Sequence, residues 1–320
     1  MGKFDTLTKK YMSNPDIFAD VFNYLIYNGR QVIKSSALRD ADTAEVAVAY
    51  GANEKEKLPV QKTRDNLQVW AVKYDDEAKY VLLGGENQSK VHFAMPVRNM
   101  LYDSINYTAQ VDAAHKSYKC LKTDENGIKI ELTSEEFLSG FRKDDKLTPV
   151  ITAVILFSDD KWDAPKSIHE MIDVPDELLP FIADYKLNLI CPQGIDEKDF
   201  STRKHQGKFS TGFGTLMQII KHQNEEMVYD IIKNAPNVDP DSADMIEEFS
   251  NIKFERTTDE EGGINMCKGM EICLLNTEIK GAISILRTMN LKEEDIAKRV
   301  ASKYDVTIDY VKEIMAREAV

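Results

Sequence analysis

The sequence predicts an α/β protein in which helices flank a mixed sheet and a helical region follows it. Three observations lead to this prediction. Two runs rich in β-branched and aromatic residues lie next to each other between residues 64 and 88, which indicates a β-hairpin. A continuous apolar run at residues 149–157 is typical of a strand covered on both faces. From residue 211 onward the sequence reads as helical.

The first predicted helix begins after Asn14, a good N-cap residue, with Pro15 at its first position. Its apolar residues recur at helical spacing, and Gly29 ends the run. These apolar residues are Phe18, Val21, Phe22, Leu25 and Ile26. The pattern predicts an amphipathic helix of about four turns. Residues 34–62 are polar and mixed, and we interpret them as irregular or as a short excursion from the core.

The hairpin strands are predicted at residues 64–73 and 79–88, with a turn between them. A helix follows at about residues 94–116, and a further short strand is predicted at 187–192. The apolar stripe of this helix consists of Val97, Leu101, Ile105 and Val111.

The charge of the chain is unevenly distributed. Its 320 residues correspond to about two domains. The net charge of −13 divides into −1 for residues 1–150 and −12 for residues 151–320. The first half is therefore electrostatically free to approach an anion. We expect an α/β domain at residues 1–193 and an acidic helical region at residues 194–320.

The longest apolar run, at residues 150–157, is far shorter than the roughly 20 residues that cross a bilayer. No signal peptide pattern opens the sequence. These features predict a cytoplasmic protein without a membrane partner.

Two short helices near the C-terminus, at about residues 291–297 and 306–311, leave two interpretations open. They resemble a helix-turn-helix, which reads DNA, but they also suit a helical hairpin used for packing. Residues 291–320 hold 6 basic and 7 acidic side chains, which is a poor balance for binding phosphates. The packing interpretation is favoured, with a homodimer formed through the helical region.

Acidic side chains meet at the open end of the predicted hairpin. If the chain turns between Asp75 and Asp76, residues whose numbers sum to 151 pair across it, and Asp65 faces Glu86. Their Cβ atoms are then about 4.5–5.5 Å apart. Gln88 lies on the Glu86 face because side chains alternate along a strand. A turn two residues longer would pair Asp65 with Gln88 and keep Glu86 diagonal to it.

Two facing carboxylates repel each other, so either one is protonated or a cation lies between them. Asp65, Glu86 and a backbone carbonyl would form an all-oxygen site that suits Mg²⁺ or Mn²⁺. Such a cation polarises a phosphate and activates a bound water, which the Gln88 amide would orient. The alternative is a pair of solvated acids at a hairpin end, one of them paired with Arg64.

A polar row lies on the helix that follows the hairpin. Arg98, Tyr102, Asn106 and Gln110 are spaced four apart, so they share one helix face. An arginine, a tyrosine and two amides in line suit a sugar-phosphate backbone, with Arg98 as the first candidate for a phosphate contact. The alternative is an ordinary solvated face.

Several blocks in order resemble the recombination-promoting nuclease and transposase family of the PD-(D/E)XK nuclease superfamily. The blocks are FADVFN (18–23), KTRD (62–65), LGGENQ (83–88), AMPVR (94–98), YDSINYTAQ (102–110), LTPVI (147–151) and WDAP (162–165). The resemblance covers roughly residues 8–195.

The resemblance implies a restriction-endonuclease-like core, Mg²⁺ as cofactor and DNA as substrate. Asp65 and Glu86 would be metal ligands, with the main-chain carbonyl of Asn87 as a third, and Asp20 would be the acid of the preceding helix. Gln88 occupies the lysine position of the motif, which keeps a hydrogen-bond donor but loses a positive charge. Arg64 stands where the superfamily has proline.

The resulting hypothesis is a metal-dependent DNA endonuclease linked to recombination or mobile elements. Two alternatives stay open: a nuclease-fold protein that binds DNA or a protein without cutting, and an interaction module whose acidic helices bind a basic partner.

Overall fold

A computed structural model describes residues 3–41, 44–47, 60–63, 65–74, 77–120, 132–223, 225–260, 262–289 and 291–317. The strands in these ranges are β1 (Leu38–Asp40), β2 (Ala44–Ala47), β3 (Val60–Thr63), β4 (Asn66–Tyr74), β5 (Glu77–Gln88), β6 (Val150–Leu156) and β7 (Asn188–Ile190). The first helices are α1 (Lys3–Met12), α2 (Pro15–Tyr27), α3 (Met95–Cys120), α4 (Ser134–Ser139) and α5 (Phe213–Lys221). The remaining helices are α6 (Glu225–Asn234), α7 (Pro240–Ser250), α8 (Met266–Thr288), α9 (Glu293–Tyr304) and α10 (Ile308–Arg317).

The main sheet has five strands in the order β1-β4-β5-β6-β7. β1, β4 and β5 pair antiparallel, whereas β5, β6 and β7 pair parallel. The predicted α/β class with a mixed sheet is therefore confirmed. β2 and β3 form a separate antiparallel pair. The interpretation of residues 34–62 as irregular was wrong for β1, β2 and the first three residues of β3.

The pairing register of the hairpin is the predicted one. Asn66 pairs with Gly85 and Tyr74 with Glu77, so paired numbers sum to 151 throughout. The turn residues Asp75 and Asp76 lie outside the described residues, as does Arg64, the predicted ion-pair partner of the acids.

Helix α2 begins as its sequence predicts. The Asn14 side chain accepts a hydrogen bond from the backbone N–H of Asp16, and Pro15 occupies the first helical position. The helix ends at Asn28, which adopts a left-handed conformation with φ of 54°. Phe18, Val21 and Phe22 of its predicted apolar face are fully buried, as expected for an amphipathic helix. Leu25 is half-buried and Ile26 is 37% exposed, so the last turn of the face is not covered.

The chain divides into two compact units. The first comprises Met1–Ser201 and Gln206–His222, and the second comprises residues 202–205 and 223–320. The predicted domain boundary after residue 193 thus falls inside the first unit, which also includes α5. Among the helices in the described ranges, none has both the length and the hydropathy needed to span a bilayer.

In the second unit, α8, α9 and α10 share one apolar cluster. Its buried members are Ile279, Ile283, Ile296, Ala297, Val300, Ala301, Val311, Ile314 and Met315. Asp305 caps the end of α9 with φ of 53°, and α10 follows, so the predicted pair of C-terminal helices is confirmed. Its use for packing, dimerisation or DNA reading stays a prediction.

Candidate active site

The end of the hairpin brings Asp65 next to the backbone of β5. The Asp65 Oδ2 accepts a hydrogen bond of 2.9 Å from the backbone N–H of Asn87. The Asn66–Gly85 pair, extended by one step, would set Asp65 opposite Glu86, but β4 begins at Asn66, so the recorded ladder stops one residue short of Asp65. Burial raises the pKa of Asp65 above its ordinary 3.8, although the Asn87 N–H and the charges of Arg98 and Lys9 oppose that shift.

Glu86 lies fully buried under α3, with Arg98 as its ion-pair partner. A guanidinium nitrogen of Arg98 lies 3.1 Å from Glu86 Oε2, and the Arg98 side chain keeps 35% of its exposure. Burial alone would lower the pKa of Arg98, but Glu86, the Tyr102 hydroxyl and Asp65 raise it above its ordinary value. Arg98 therefore links the two acids electrostatically.

Tyr102 completes this face of the site. Its hydroxyl accepts a hydrogen bond of 3.2 Å from Arg98 Nε. Burial and the nearby Glu86 charge raise the pKa of Tyr102. Because only 4% of Tyr102 is exposed, its ring positions Arg98 and does not present an outer surface to DNA.

Gln88 is also buried, and its amide points back along its own strand. The Gln88 Nε2 donates a hydrogen bond of 3.1 Å to the backbone carbonyl of Asn87, the predicted third metal ligand. The backbone carbonyl of Gln88 accepts a hydrogen bond from the backbone N–H of Phe157, which joins the end of β5 to the end of β6. The predicted group of Asp65, Glu86, Asn87 and Gln88 is therefore assembled at one end of the hairpin.

Two residues on α1 belong to this site and were missed by the sequence analysis. Asp5 raises the pKa of Asp65 and Lys9 lowers it, so both charges lie close to that carboxylate. The Asn66 amide donates to the Lys9 carbonyl and to Ser13 Oγ, which fixes α1 beside the hairpin. The sequence does contain a signal for helix α1, because Phe4, Leu7 and Tyr11 recur at helical spacing.

Asp20, the predicted helix acid, forms hydrogen bonds with Ser210 and Thr211, in a different part of the first unit. Its Oδ1 accepts from the backbone N–H and the hydroxyl of Ser210, and its Oδ2 accepts from the same two groups of Thr211, all at 2.8–2.9 Å. Gln31 adds a weaker contact at 3.5 Å. A carboxylate with four short hydrogen bonds is a structural tie, so the structure gives no support to Asp20 as a metal ligand.

The polar row on α3 has the predicted spacing, and its last two members, Asn106 and Gln110, make contacts within the protein. Gln110 makes two hydrogen bonds with the backbone of Thr148, donating at 3.1 Å and accepting at 2.6 Å. Asn106 donates to the carbonyl of Tyr102, within the same helix. The row therefore holds α3 against the sheet, and the expectation that it lines a DNA backbone lacks structural support.

The predicted apolar stripe of α3 is wrong for its first half. Val97 and Leu101 are 45% and 38% exposed, whereas Ile105 is buried. The buried positions at this end include Asn99 and Asp103, and the latter accepts a 2.7 Å hydrogen bond from Thr152 Oγ1 of β6. Hydrogen bonds from Thr152 and Tyr185 offset the cost of burying Asp103, so this part of the helix turns a polar side chain to the sheet.

Comparisons with known proteins gave a uniform result. No family model, curated protein or solved structure matches this chain. The candidate site residues are therefore identified from the geometry of the structure and from the sequence blocks named above.

The donor atoms of the site fit a hard divalent cation. Asp65 and Glu86 supply carboxylates from adjacent strands, and Asn87 supplies a carbonyl, all of them oxygen donors of the kind that Mg²⁺ and Mn²⁺ prefer. Among the described residues, no group of three His, Cys, Asp or Glu side chains is arranged to hold a metal. A cation here would therefore depend on two carboxylates, the carbonyl and water.

Proposed function

We propose that the chain is a metal-dependent DNA endonuclease with a restriction-endonuclease-like core, in which Asp65 and Glu86 hold Mg²⁺ or Mn²⁺. The observation that supports the proposal lies at the end of the hairpin, where Asp65 accepts a hydrogen bond from the backbone N–H of Asn87 and the adjacent Glu86 pairs with Arg98. Acids that repel each other in a partly dry site are costly unless a cation joins them. The mixed sheet with helices before and after the hairpin supports the same proposal.

The surrounding residues have definable roles in this activity. A bound divalent cation supplies charge stabilisation to a phosphate and lowers the pKa of a coordinated water. Arg98, which pairs with Glu86, would offer a bidentate donor set suited to a phosphate oxygen if a cation held that carboxylate instead. The Gln88 side chain supplies amide hydrogen-bond groups beside the backbone carbonyl of Asn87. Lys9 adds positive charge near Asp65.

The test is nicking of supercoiled plasmid with Mg²⁺ or Mn²⁺. Asp65→Asn and Glu86→Gln keep the shape of each side chain but remove its charge, and each is expected to reduce cleavage by at least about a hundredfold. Glu135→Gln, which removes an exposed acid on α4, is the matched control and should cleave like the wild type. Equal cleavage by all four proteins would refute the assignment.

A second candidate function is DNA binding without cleavage. It is favoured by the contacts that already occupy the site, since Arg98 pairs with Glu86 and Gln88 donates to the Asn87 carbonyl. A cation would compete with Arg98 for the Glu86 carboxylate and with Gln88 for the Asn87 carbonyl, which would lower its affinity. Salt-dependent DNA binding with no cleavage under any divalent cation would select this function over the first.

A further inference from the structure

A cleft of about 480 Å³ lies in the first unit, away from the acids. It is formed by α2, by the segment that follows β6, and by β7 with the residues after it. The side chains that carry chemistry in its lining are Tyr24, Lys161, Trp162, Lys166, Cys191 and Gln193. Its volume is within the range of small-molecule sites in proteins.

The cleft occupies a position in the sheet that favours ligands. β6 and β7 run parallel, with Ile155 opposite Ile190, so their carboxyl ends lie at the same edge. The segments that follow both strands line the cleft. Crevices outside the carboxyl ends of parallel strands are the usual ligand sites of open α/β sheets.

The same edge of the sheet carries the candidate active site. Gln88 pairs with Leu156 in parallel register, so the end of β5 lies beside the end of β6. Neighbouring strands are about 4.8 Å apart, which puts β7 roughly 10 Å from the strand that carries Glu86 and Gln88. A nucleic-acid strand that has a phosphate at the acids can therefore reach the cleft within a few nucleotides.

The chemistry of the lining combines an aromatic surface with positive charge. Lys161 and Lys166 are exposed, and no ion pair joins either of them to a carboxylate in the described ranges. Trp162 is half-buried, and its indole Nε1 is fully buried without a hydrogen-bond acceptor in the part of the chain that the structure describes. Trp162 therefore keeps only part of its indole ring accessible at the cleft, and that part can contact a ligand.

We infer that this cleft binds a nucleotide, with the base against Trp162 and the phosphate between Lys161 and Lys166. Base stacking on an aromatic side chain and phosphate neutralisation by lysine are the two main terms in binding single-stranded nucleic acid. The nucleotide is either a free mononucleotide or one unit of a DNA strand. Only the second source rests on the proposed endonuclease function, because nucleotide binding here requires neither the cation nor cleavage.

The experiment is a fluorescence titration of the full chain in EDTA. The chain has two tryptophans, and Trp70 is buried in the sheet, so a ligand in the cleft quenches Trp162. The ligands are dAMP, an unstructured single-stranded oligodeoxynucleotide, and inorganic phosphate. Saturable quenching is expected with one or both nucleotide ligands and not with phosphate at equal concentration.

Matched variants locate the binding. Trp162→Phe should abolish the quenching, and the double variant Lys161→Gln, Lys166→Gln should weaken affinity roughly tenfold or more because two phosphate contacts are lost. Lys198→Gln, at an exposed lysine outside the lining, should bind like the wild type. Calorimetric titration of the same proteins gives the affinities without relying on Trp162.

Each outcome bears on the inference. Quenching by dAMP identifies free nucleotides as a source, and quenching by the oligonucleotide alone identifies the strand. Absence of quenching and of heat with both would overturn the inference, as would equal weakening by Lys198→Gln and the double variant. Because the titration is done in EDTA, where no cation-dependent cleavage occurs, failure of the proposed cleavage chemistry stays distinguishable from failure of the cleft.

Discussion

The guanidinium of Arg98 lies 3.1 Å from the carboxylate of Glu86, an acid with no exposed surface at the end of β5. The pair joins α3 to the central hairpin, and Tyr102 accepts a hydrogen bond from the same arginine. In the protein without a cation, Arg98 therefore provides the charge that the buried carboxylate requires.

Replacing this arginine tests whether a cation and Arg98 compete for Glu86. Arg98→Gln should lower the free energy of unfolding in EDTA by about 3 kcal/mol. This value is at the low end of the cost of breaking a buried ion pair, because Arg98 is partly exposed. Mn²⁺ should then stabilise the variant more than the wild type, as measured by urea unfolding. Arg30→Gln, at an exposed arginine that bonds only locally, is the control. An Mn²⁺ response no larger than that of the wild type would contradict the proposed ligand.

The pH dependence of stability reports on Asp65. Burial raises its pKa in the folded protein above the ordinary 3.8, so the folded state binds the proton more tightly and loses stability as pH rises from 3.8 through the folded pKa. Asp65→Asn should thus be more stable than the wild type at pH 7 in EDTA, with the difference closing at and below pH 3.8.

Asp184 should change the stability of the protein with pH in the opposite direction to Asp65. A hydrogen bond from the backbone N–H of His169 lowers the pKa of Asp184 below 3.8, so its contribution to stability is present above pH 3.8 and is lost as pH falls through the folded pKa. Asp184→Asn should destabilise the protein at pH 7. Unfolding curves for both variants between pH 3 and pH 7 that shift in the same direction would contradict the sign for Asp65.

Asp20→Asn distinguishes a structural tie from a metal ligand. The amide leaves at least one donor of Ser210 or Thr211 without an acceptor, and we expect a loss of about 3 kcal/mol in unfolding free energy. Mn²⁺ affinity of the folded variant should equal that of the wild type. Asp16→Asn, an exposed acid on the same helix, should change stability by no more than about 0.5 kcal/mol. Unchanged stability together with lost Mn²⁺ binding would restore Asp20 as a ligand.

Gln110→Ala examines the polar row of α3. Both hydrogen bonds to the backbone of Thr148 are lost, so the free energy of unfolding should fall by about 1–2 kcal/mol. DNA affinity should change less than twofold, whereas Arg98→Gln should weaken it. Gln206→Ala, at an exposed glutamine of the same unit, serves as the stability control. A large loss of DNA affinity without a loss of stability would return Gln110 to the DNA interface.

Gln88→Lys restores the charge that the nuclease motif has at this position. The ammonium would lie next to the Asn87 carbonyl and the buried acids, where a positive charge stabilises a phosphate transition state. Plasmid cleavage should increase about tenfold or more at saturating Mn²⁺. Gln88→Met, which has similar length and no donor, should cleave less than the wild type. Equal rates for the lysine and methionine variants would exclude a role for the side chain.

Local signals in the sequence were sufficient for much of the fold. The caps of α2 at Asn14 and Asn28 and the register of the hairpin depend on residues close together in the chain. Asp65 and Glu86 could be paired because strand alternation and one short turn decide which residues are opposite. These are the parts of the site that the sequence could predict.

The remaining parts depend on distant partners. Asp20 bonds to residues 190 positions later, and its sequence neighbours contain no sign of that contact. The inward face of α3 carries Asn99 and Asp103, so a rule that turns apolar residues inward chooses the wrong face. Hydrogen bonds such as that between Asp103 and Thr152 decide which face of α3 turns to the sheet. These bonds exist only once the sheet has formed.

The tie between Asp20 and residues 210–211 also imposes an order on biosynthesis. A ribosome-bound chain that has exposed only its first 193 residues holds the whole five-stranded sheet but lacks every Ser210 and Thr211 donor that the buried Asp20 requires. Closure of the first unit thus waits until α5 has left the exit tunnel. Fragments for expression should accordingly extend to at least residue 222 and not stop where the strands end.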